Sequence, residues 1–341
     1  MPPHLFPEIL HSILQFLADD KESLSSSSLV CRTWVPFART YLIPKDTFLT
    51  INPSNVGLYA LLESPHCTVI QHIHRLIATV GTQEQFGRLW DVLRRGLTLE
   101  DLTISWHQFE PTAAVDTPIT TDPPSLTSLE LAVTNFYLTR SSFRIRELAW
   151  LVRIINSCSR LEQLSFGDCS TALVPFSPSL PRLLLASLQC LTLWNRSFPT
   201  FLPWLTHTGF DGCPKLKRLR IYWSIRGDTD SREGRRLLQE FLDGACADHI
   251  EAIEFMALDQ RSTIWADINL QNLRRLTHVQ VNYTVKMRLA EDDVEGAIAV
   301  ASTASTAGKH VTVVIFGPDQ DIWSSRVPKD SSRMEWLWFA C

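Results

Sequence analysis

One six-residue pattern recurs along most of this chain and restricts its fold more than any other feature. The pattern reads apolar-x-x-apolar-x-apolar, and successive copies begin 27, 35, 27, 28, 34, 26 and 35 residues apart. The copies are Leu99/Leu102/Ile104, Leu126/Leu129/Leu131, Leu161/Leu164/Phe166, Leu188/Leu191/Leu193, Leu216/Leu219/Ile221, Ile250/Ile253/Phe255, Leu276/Val279/Val281 and Val311/Val314/Phe316, after a degenerate copy from Ile70 and Ile73 to Val80. Alternation of apolar and variable positions predicts a short strand with one buried face. Because one such unit cannot close its own core, the copies are expected to stack as parallel strands.

The segments between the copies predict helices and loops. Apolar residues recur at helical spacing over 144–157 and 231–244, where Gly244 is a plausible stop, and 293–305 is rich in Ala and Val. Proline-rich or charged stretches at 111–124, 175–181 and 227–234 predict exposed loops. Strands that alternate with helices predict an α/β solenoid with a parallel sheet.

Composition narrows the classes of partner. The 341 residues carry a formal net charge of −4, so they hold no cationic surplus to neutralise phosphates and we expect no nucleic acid partner. The densest apolar run, 183–194, is too short to cross a bilayer, and the N-terminus has no signal-peptide pattern. None of the eight cysteines forms a C-x-x-C pair. Scattered, reduced thiols of this kind are typical of a cytoplasmic or nuclear protein, and we expect no membrane partner.

A search for chemistry predicts no catalytic site, cofactor or metal. The chain has no glycine-rich phosphate loop, G-x-S-x-G elbow or H-E-x-x-H motif. His66, Cys67, His72 and His74 lie close together but fit no standard zinc spacing, and His72 and His74 are expected on one strand face. Packed or solvated histidines are therefore favoured. Cys31 has no identifiable histidine partner, so the chain is not expected to be an enzyme.

The first forty residues form a separate, strongly apolar segment. A segment of this length cannot bury enough apolar surface to be stable alone, so it needs the rest of the chain or another protein as a partner. The residues that carry a family pattern here are Leu5, Glu8, Ile9, Leu10, Ile13, Leu17, Leu29, Val30, Cys31, Arg32, Trp34, Ala38 and Arg39. With this set the segment resembles an F-box, over residues 4–44. Phe6 stands where that family usually has proline, and Pro7 follows one place later.

The repeats in turn resemble irregular leucine-rich repeats, whose period is about 20–29 residues. That family places Asn or Cys at the ninth position, and Cys169 is the clear match here. The other copies have His107, Thr134, Arg196 and Ser224 at that position. Together the resemblances predict a small helical F-box at 1–45, a linker at 46–68, a leucine-rich-repeat solenoid with a curved parallel sheet at 69–320, and a C-terminal cap or tail at 321–341. The aromatic run 334–339 is either a cap or a contact patch.

The F-box resemblance implies docking on the Skp-family adaptor of a cullin–RING (SCF-type) ubiquitin ligase. The residues expected to bind the adaptor are Leu5, Pro7, Glu8, Ile9, Leu10, Ile13, Leu29, Val30, Cys31 and Trp34. Through the adaptor the chain would reach the cullin, while the repeats hold a target protein whose identity the sequence does not name. In the alternative, the chain is a scaffold and its F-box-like helices only cap the solenoid.

The variable positions of the strands predict where a target binds. Taken with the two residues after each strand, these positions give Trp106, Glu130, Asp168, Trp194, Arg220, Tyr222, Trp223, Glu254, Gln280 and Tyr283. Trp, Tyr and Arg are the residue types enriched in binding hot spots. Trp106, Trp223 and Tyr283 share one repeat position and are expected to form a row. The competing interpretation is that these aromatic side chains pack beneath the loops.

Overall fold

The chain has a mixed α/β fold with parallel sheets. The structure, a computed structural model, describes residues 6–27, 34–43, 48–52, 56–64, 67, 69–80, 83–93, 99–106, 135–139, 141–142, 152–153, 155–167, 169–170, 181–223, 231–257, 268–284, 310–316 and 334–339. Two compact units divide the chain: the first comprises residues 1–104 and 131–133, and the second comprises 105–130 and 134–341.

The first unit begins with three short helices. They are α1 (Pro7–Phe16), α2 (Lys21–Ser27) and α3 (Val35–Leu42). Leu10, Leu14, Leu24 and Ala38 form their buried core, and the partly buried side chains packed against it are Leu17, Trp34, Phe37, Tyr41 and Leu42. Every member of this cluster comes from residues 10–42. The helices therefore share a core of their own.

Local residues explain where two of these helices begin. Pro7 occupies the first turn of α1, where its missing N–H costs nothing because that donor has no intrahelical acceptor. Asp20 precedes α2, and its carboxylate accepts hydrogen bonds from the Ser23 backbone N–H at 3.0 Å and the Ser23 hydroxyl at 2.6 Å. The bonds from Ser23 lower the pKa of Asp20. The ionised side chain thus acts as the N-cap of α2.

The rest of the first unit alternates strands and helices. Its elements are β1 (Phe48–Ile51), α4 (Val56–Glu63), β2 (Arg75–Val80), α5 (Gln83–Leu93) and the first four residues of β3 (Asp101–Trp106). β1 pairs with β2 in parallel, from Phe48 opposite Arg75 to Ile51 opposite Ala78. The prediction of a linker at 46–68 is therefore wrong, because this segment contributes a paired strand and a helix. Glu63 of α4 accepts two hydrogen bonds, at 2.6 and 2.9 Å, from Arg88 of α5.

The second unit carries a parallel sheet whose strands follow chain order. In that order the paired strands are β4 (Asn135–Thr139), β6 (Gln163–Phe166), β8 (Cys190–Trp194), β9 (Arg218–Trp223), β10 (Ala252–Ala257), β11 (His278–Thr284), β12 (His310–Phe316) and β13 (Met334–Phe339). Two short strands, β5 (Ser141–Ser142) and β7 (Cys169–Ser170), pair separately. The aromatic run 334–339 is thus a strand in register with β12.

The register confirms the predicted apolar positions of the central strands. Leu164, Leu191, Leu219, Ile253 and Val279 lie opposite one another on successive strands, and all are fully buried. The next buried row, two residues further along each strand, is Phe166, Leu193, Ile221, Phe255 and Val281. The two rows lie on the same face of the sheet, because residues two apart on a strand point to the same side.

One predicted copy, at 126–131, is not tested by the structure, and another, at 311–316, has the wrong phase. The strand paired with β6 is β4, in which Phe136 lies opposite Leu164, whereas the predicted copy at 126–131 lies outside the described residues. Val133, Phe136 and Leu138 match the same apolar pattern. At the other end, Val311 and not Val314 lies opposite Val279. A run as uniformly apolar as 313–316 does not reveal its phase, because a strand face is defined only by alternation.

Two helices of the second unit are described over their full length, and each follows a strand. α7 (Ser231–Asp243) confirms the helix predicted at 231–244, and it begins within the loop predicted at 227–234. A further helix, α6 (Phe198–Thr208), follows β8, and its Trp204 side chain is completely buried. The sequence analysis did not predict this helix. Of the helix predicted at 144–157, residues 152–153 and 155–156 are described and helical, while 293–305 lies outside the described residues. No helix in the described part of the chain is long and apolar enough to span a bilayer.

Candidate functional site

The helix α1 has two apolar faces, and only one of them is buried. Leu10 and Leu14 point into the three-helix core. On the other side, Phe6, Ile9, Ile13 and Phe16 are 71%, 47%, 38% and 92% exposed. Their spacing of three, four and three residues places them along one side of the helix. We call these four residues the α1 row.

The α1 row differs from the predicted adaptor anchors. Leu10 was predicted to be an anchor, but it is only 3% exposed and packs inside the helical core, so that assignment is wrong. Ile9 and Ile13 belong to the exposed row, and Pro7 and Glu8 are exposed beside it. Trp34 is half-buried against the helical core. Leu5, Leu29, Val30 and Cys31 lie outside the described residues.

A contact between α1 and α3 helps to set the direction of the row. The Tyr41 hydroxyl lies 3.1 Å from an imidazole nitrogen of His11, and the two rings are 5.5 Å apart between centroids. His11 sits between Ile9 and Ile13 on α1, with its side chain reaching α3. This contact therefore limits the rotation of α1 about its own axis.

The second candidate surface is the side of the second sheet opposite the buried rows. We call it the outer face; its members on the central strands are Thr192, Trp194, Arg218, Arg220, Tyr222, Glu254, Met256, Gln280 and Asn282. The register makes several of the predicted binding residues neighbours on this face: Trp194 lies opposite Tyr222, Arg220 opposite Glu254, and Glu254 opposite Gln280. Most of these side chains are partly exposed, so the face is available to a partner.

An ion-pair cluster occupies the middle of the outer face. Arg220 Nε donates to one carboxylate oxygen of Glu254 at 2.6 Å, and Arg218 Nε lies 3.5 Å from the other oxygen. Burial opposes the charge of Arg220, but the hydrogen bond and the neighbouring groups together raise its pKa. The side chain of Glu254 is 16% exposed, whereas that of Arg218 is 52% exposed. The Glu254 carboxylate thus contacts two guanidinium groups, and the guanidinium of Arg218 remains largely accessible to solvent.

An aromatic stack lies at the carboxyl end of the same face. The rings of Trp194 and Tyr222 are 4.8 Å apart between centroids and inclined by only 7°. Met256 lies opposite Tyr222 on the next strand, and the Asn282 side-chain amide contacts the Met256 sulfur. Gln280 donates to Asn282 at 2.8 Å. The result is a flat apolar platform bordered by amide groups.

A polar groove of about 470 Å³ lies at the amino ends of β6, β8, β9, β10 and β11. Its charged lining residues are Glu162, Lys215, Lys217, Arg218 and Glu251, of which Lys217 and Glu251 form an ion pair at 2.9 Å. Backbone hydrogen bonds link the strands at this groove. Each of four carbonyls accepts two amide N–H groups from the following strand, and these carbonyls belong to Glu162, Gln189, Lys217 and Glu251. Arg218 belongs both to this groove and to the ion-pair cluster.

Trp223 is the clearest error among the predicted binding residues. It is only 2% exposed and packs edge-on against Phe198, with ring centroids 5.4 Å apart. Trp223 lies two residues after Ile221, so it shares the buried face of β9 and not the outer one. The backbone of Tyr283 lies opposite Ala257, as that of Trp223 does, which confirms their shared repeat position. Trp106 is the last residue of β3, and its side chain, like that of Tyr283, is not described; Glu130 and Asp168 lie outside the described residues.

The sequence analysis also missed cations that border the site. Arg218 precedes Arg220 by two residues, so strand alternation alone places both on the outer face. Lys215 and Lys217 lie just before β9, at the groove. The predicted set does not contain them because it took only the single variable position between the last two apolar residues of each copy and the two residues that follow the copy.

The histidine cluster shows no metal geometry in the described residues. His72 ends a 3-10 turn, Ile70–His72, and does not share a strand face with His74 as expected. Burial lowers the pKa of His72, and so do the charges of Arg39 and His74. His74 Nδ1 lies 3.6 Å from a carboxylate oxygen of Glu100. Within the described ranges, no three His, Cys, Asp or Glu side chains lie close enough together to bind a metal.

Comparison with known proteins adds no relative. A scan against protein-family models finds no matching family, and a search of curated proteins finds no match. Any function proposed for the chain is therefore supported by its own residues and their geometry.

Proposed function

We propose that this protein is a substrate-recognition subunit of a cullin–RING ubiquitin ligase of the SCF type. In this proposal α1–α3 are the F-box and dock the Skp-family adaptor, and the parallel strands belong to an irregular leucine-rich-repeat solenoid that holds a target protein. The chain has no catalytic role of its own. It acts by proximity, because fixing a target near the ubiquitin-charged enzyme raises the effective concentration of the reacting groups.

The α1 row is the observation that carries this proposal. Three large apolar side chains on one side of a ten-residue helix, together with Phe6 at its N-cap, are exposed, although burying each one fully is worth about 1.5–3 kcal/mol. Contiguous exposed apolar residues of this kind mark interaction sites. An apolar helix side also fits the groove type of recognition that amphipathic helices use.

The helical core favours docking over capping. If α1–α3 served only as a solenoid cap, their large apolar residues would be expected to face the strands of this chain. Instead, α1–α3 bury Leu10, Leu14 and Leu24 among themselves, while the α1 row is exposed in the part of the chain that the structure describes. This arrangement leaves the row for a second protein.

The adaptor proposal is tested by measuring binding of the purified full-length chain to a Skp-family adaptor. We expect wild type to bind, and we expect Ile9→Asp and Phe16→Asp to weaken binding at least tenfold, because each places a carboxylate in a desolvated apolar contact. Neither change touches the helical core, so both variants should remain folded by circular dichroism.

Leu61→Asp is the matched control for these variants. Leu61 lies on α4 and is 47% exposed, the same fraction as Ile9, so its change introduces an equal charge on an equally exposed apolar residue. It should bind the adaptor as wild type does. If wild type shows no binding, or if the α1 variants and the control bind equally well, the ligase proposal is wrong and the scaffold alternative stands.

A further inference from the structure

We infer that the outer face binds an extended peptide segment that carries an anionic side chain, with the anionic group in the groove at Arg218 and an apolar side chain on the Trp194–Tyr222 stack. This inference names the class of target for the target-holding role proposed above, and it rests on that proposal for its biological setting. The chemistry recognised is an oxyanion, which a glutamate, an aspartate or a phosphorylated serine can supply.

The charges around the groove favour an anion. Across the groove and the ion-pair cluster the described residues contribute four cations (Lys215, Lys217, Arg218 and Arg220) against three carboxylates (Glu162, Glu251 and Glu254). The chain as a whole carries a net charge of −4, so this local excess of positive charge runs against the rest of the molecule. A basic partner would find Glu251 already paired with Lys217 and Glu254 already shared by two arginines.

Arg218 is the residue best placed to bind the incoming group. Arg220 holds the close position on Glu254, at 2.6 Å, which leaves Arg218 in the looser one, at 3.5 Å. A guanidinium has five N–H donors and binds carboxylate or phosphate through two parallel hydrogen bonds. Glu254 therefore orients Arg218 without using all of its donors, and the exposed half of the side chain faces the groove that it lines.

The aromatic stack supplies the second contact and fixes its spacing. Arg218 and Tyr222 are four residues apart on β9, which corresponds to about 13 Å along a strand. A peptide that crosses the face parallel to β9 in an extended conformation covers the same distance in about four residues. The inference thus specifies an acidic residue and an apolar or aromatic residue separated by about four positions.

The experiment selects dodecamer peptides from a random phage-displayed library on the immobilised full-length protein. We expect the recovered sequences to be enriched in Asp or Glu with an apolar residue about four positions away. A synthetic peptide with the recovered sequence is then compared, by fluorescence anisotropy, with versions that carry phosphoserine, lysine or alanine at the acidic position. The glutamate and phosphoserine versions distinguish the two sources of the anion, and the lysine version should bind at least tenfold more weakly.

Protein variants locate the binding. Arg218→Ala and Trp194→Ala should each weaken binding of the synthetic peptide about tenfold or more, since one removes a charge-assisted contact and the other removes half of the stack. The control is Arg274→Ala, because Arg274 is an exposed arginine outside the groove that pairs only loosely with Asp248, at 3.4 Å. It should bind like wild type.

The inference is overturned if the selected peptides are no more acidic than the starting library, or if Arg218→Ala binds as tightly as Arg274→Ala. Selection and anisotropy both use the protein without adaptor. If peptide binding fails while adaptor binding is intact, only the acidic-peptide site is rejected. If adaptor binding fails, the result of the peptide-binding experiment still holds.

Discussion

Two adjacent residues of β9, Tyr222 and Trp223, show how strand geometry separates a binding residue from a core residue. Tyr222 stacks on Trp194 on the outer face, and Trp223 packs against Phe198 beneath the sheet. Gly234 of α7 also lies close to Trp223, because a Cβ at that glycine would be 3.7 Å from the indole ring. The indole thus fills a space between β9, α6 and α7.

Alanine substitution should separate the two residues. Trp223→Ala is expected to lower the free energy of unfolding by about 3–5 kcal/mol, because it leaves a cavity in the core. Tyr222→Ala should cost only about 1 kcal/mol, the approximate value of an aromatic pair, since its ring is partly solvated. Urea denaturation of both variants and wild type measures the difference. Equal losses would contradict the opposite orientation of the two side chains.

The described cysteines differ in burial, and burial is expected to set how readily each thiol reacts. Burial raises the pKa of the Cys158 thiol to about 12, and burial also raises the pKa of Cys190, Cys213 and Cys246. A raised pKa leaves the thiol protonated at pH 8, and only the thiolate is nucleophilic. Cys67 is partly exposed.

Iodoacetamide at pH 8 should therefore alkylate Cys67 of the native protein well before Cys158, Cys190, Cys213 and Cys246. Peptide mapping by mass spectrometry follows each site separately. Adding denaturant provides the control, because it should abolish the difference. Labelling of native Cys158 as fast as Cys67 would show that its surroundings open readily.

At the scale of elements, side-chain amides join successive repeat units of the second sheet. Asn156 donates to the Arg182 carbonyl at 2.8 Å and accepts from the Leu184 backbone N–H at 2.9 Å. Gln239 of α7 makes the same pair of bonds with Asn269, at 3.0 and 2.9 Å. These amide clamps connect segments 26–30 residues apart, close to the repeat spacing. They therefore hydrogen-bond successive segments of the second unit to each other through side chains as well as through the paired strands.

Asn156→Ala should lower the free energy of unfolding by about 1–2 kcal/mol, because two hydrogen bonds are lost while water can still reach the exposed backbone groups. Amide hydrogen exchange at Leu184 should accelerate in the native state. Arg160→Ala is the control, since Arg160 lies exposed in the adjacent turn. If exchange at Leu184 is unchanged in Asn156→Ala, the clamp does not hold this segment.

At the scale of the whole molecule, the separate core of α1–α3 has a consequence for truncation. Removing residues 1–44 should leave a soluble, folded protein, because the core residues of α1–α3 pack on one another; under the proposed function it should also fail to bind a Skp-family adaptor. Size-exclusion chromatography and near-ultraviolet circular dichroism of residues 45–341 measure the outcome. Aggregation of the truncated protein would instead indicate that these helices cap the remaining fold.

Much of the sheet was predictable from local pattern. The apolar positions of β6, β8, β9, β10 and β11 follow from alternation and spacing, because a strand with one buried face must place apolar residues two apart. The α7 helix was predictable for the same reason at helical spacing. β4 and β12 were harder, since several overlapping apolar triplets exist near each and only pairing with a neighbour selects one register.

The sequence by itself determined five central strands, β6, β8, β9, β10 and β11, and the two buried apolar rows that they share, because these properties depend on the order of polar and apolar residues. Tertiary structure decided that Leu10 faces inward while Phe6 and Phe16 face outward. It also brought Arg218 and Arg220 to Glu254, 34 residues beyond Arg220. The physical reason is that hydrophobic periodicity is local, whereas ion pairs, aromatic stacks and the choice between two apolar helix sides depend on which distant elements pack together.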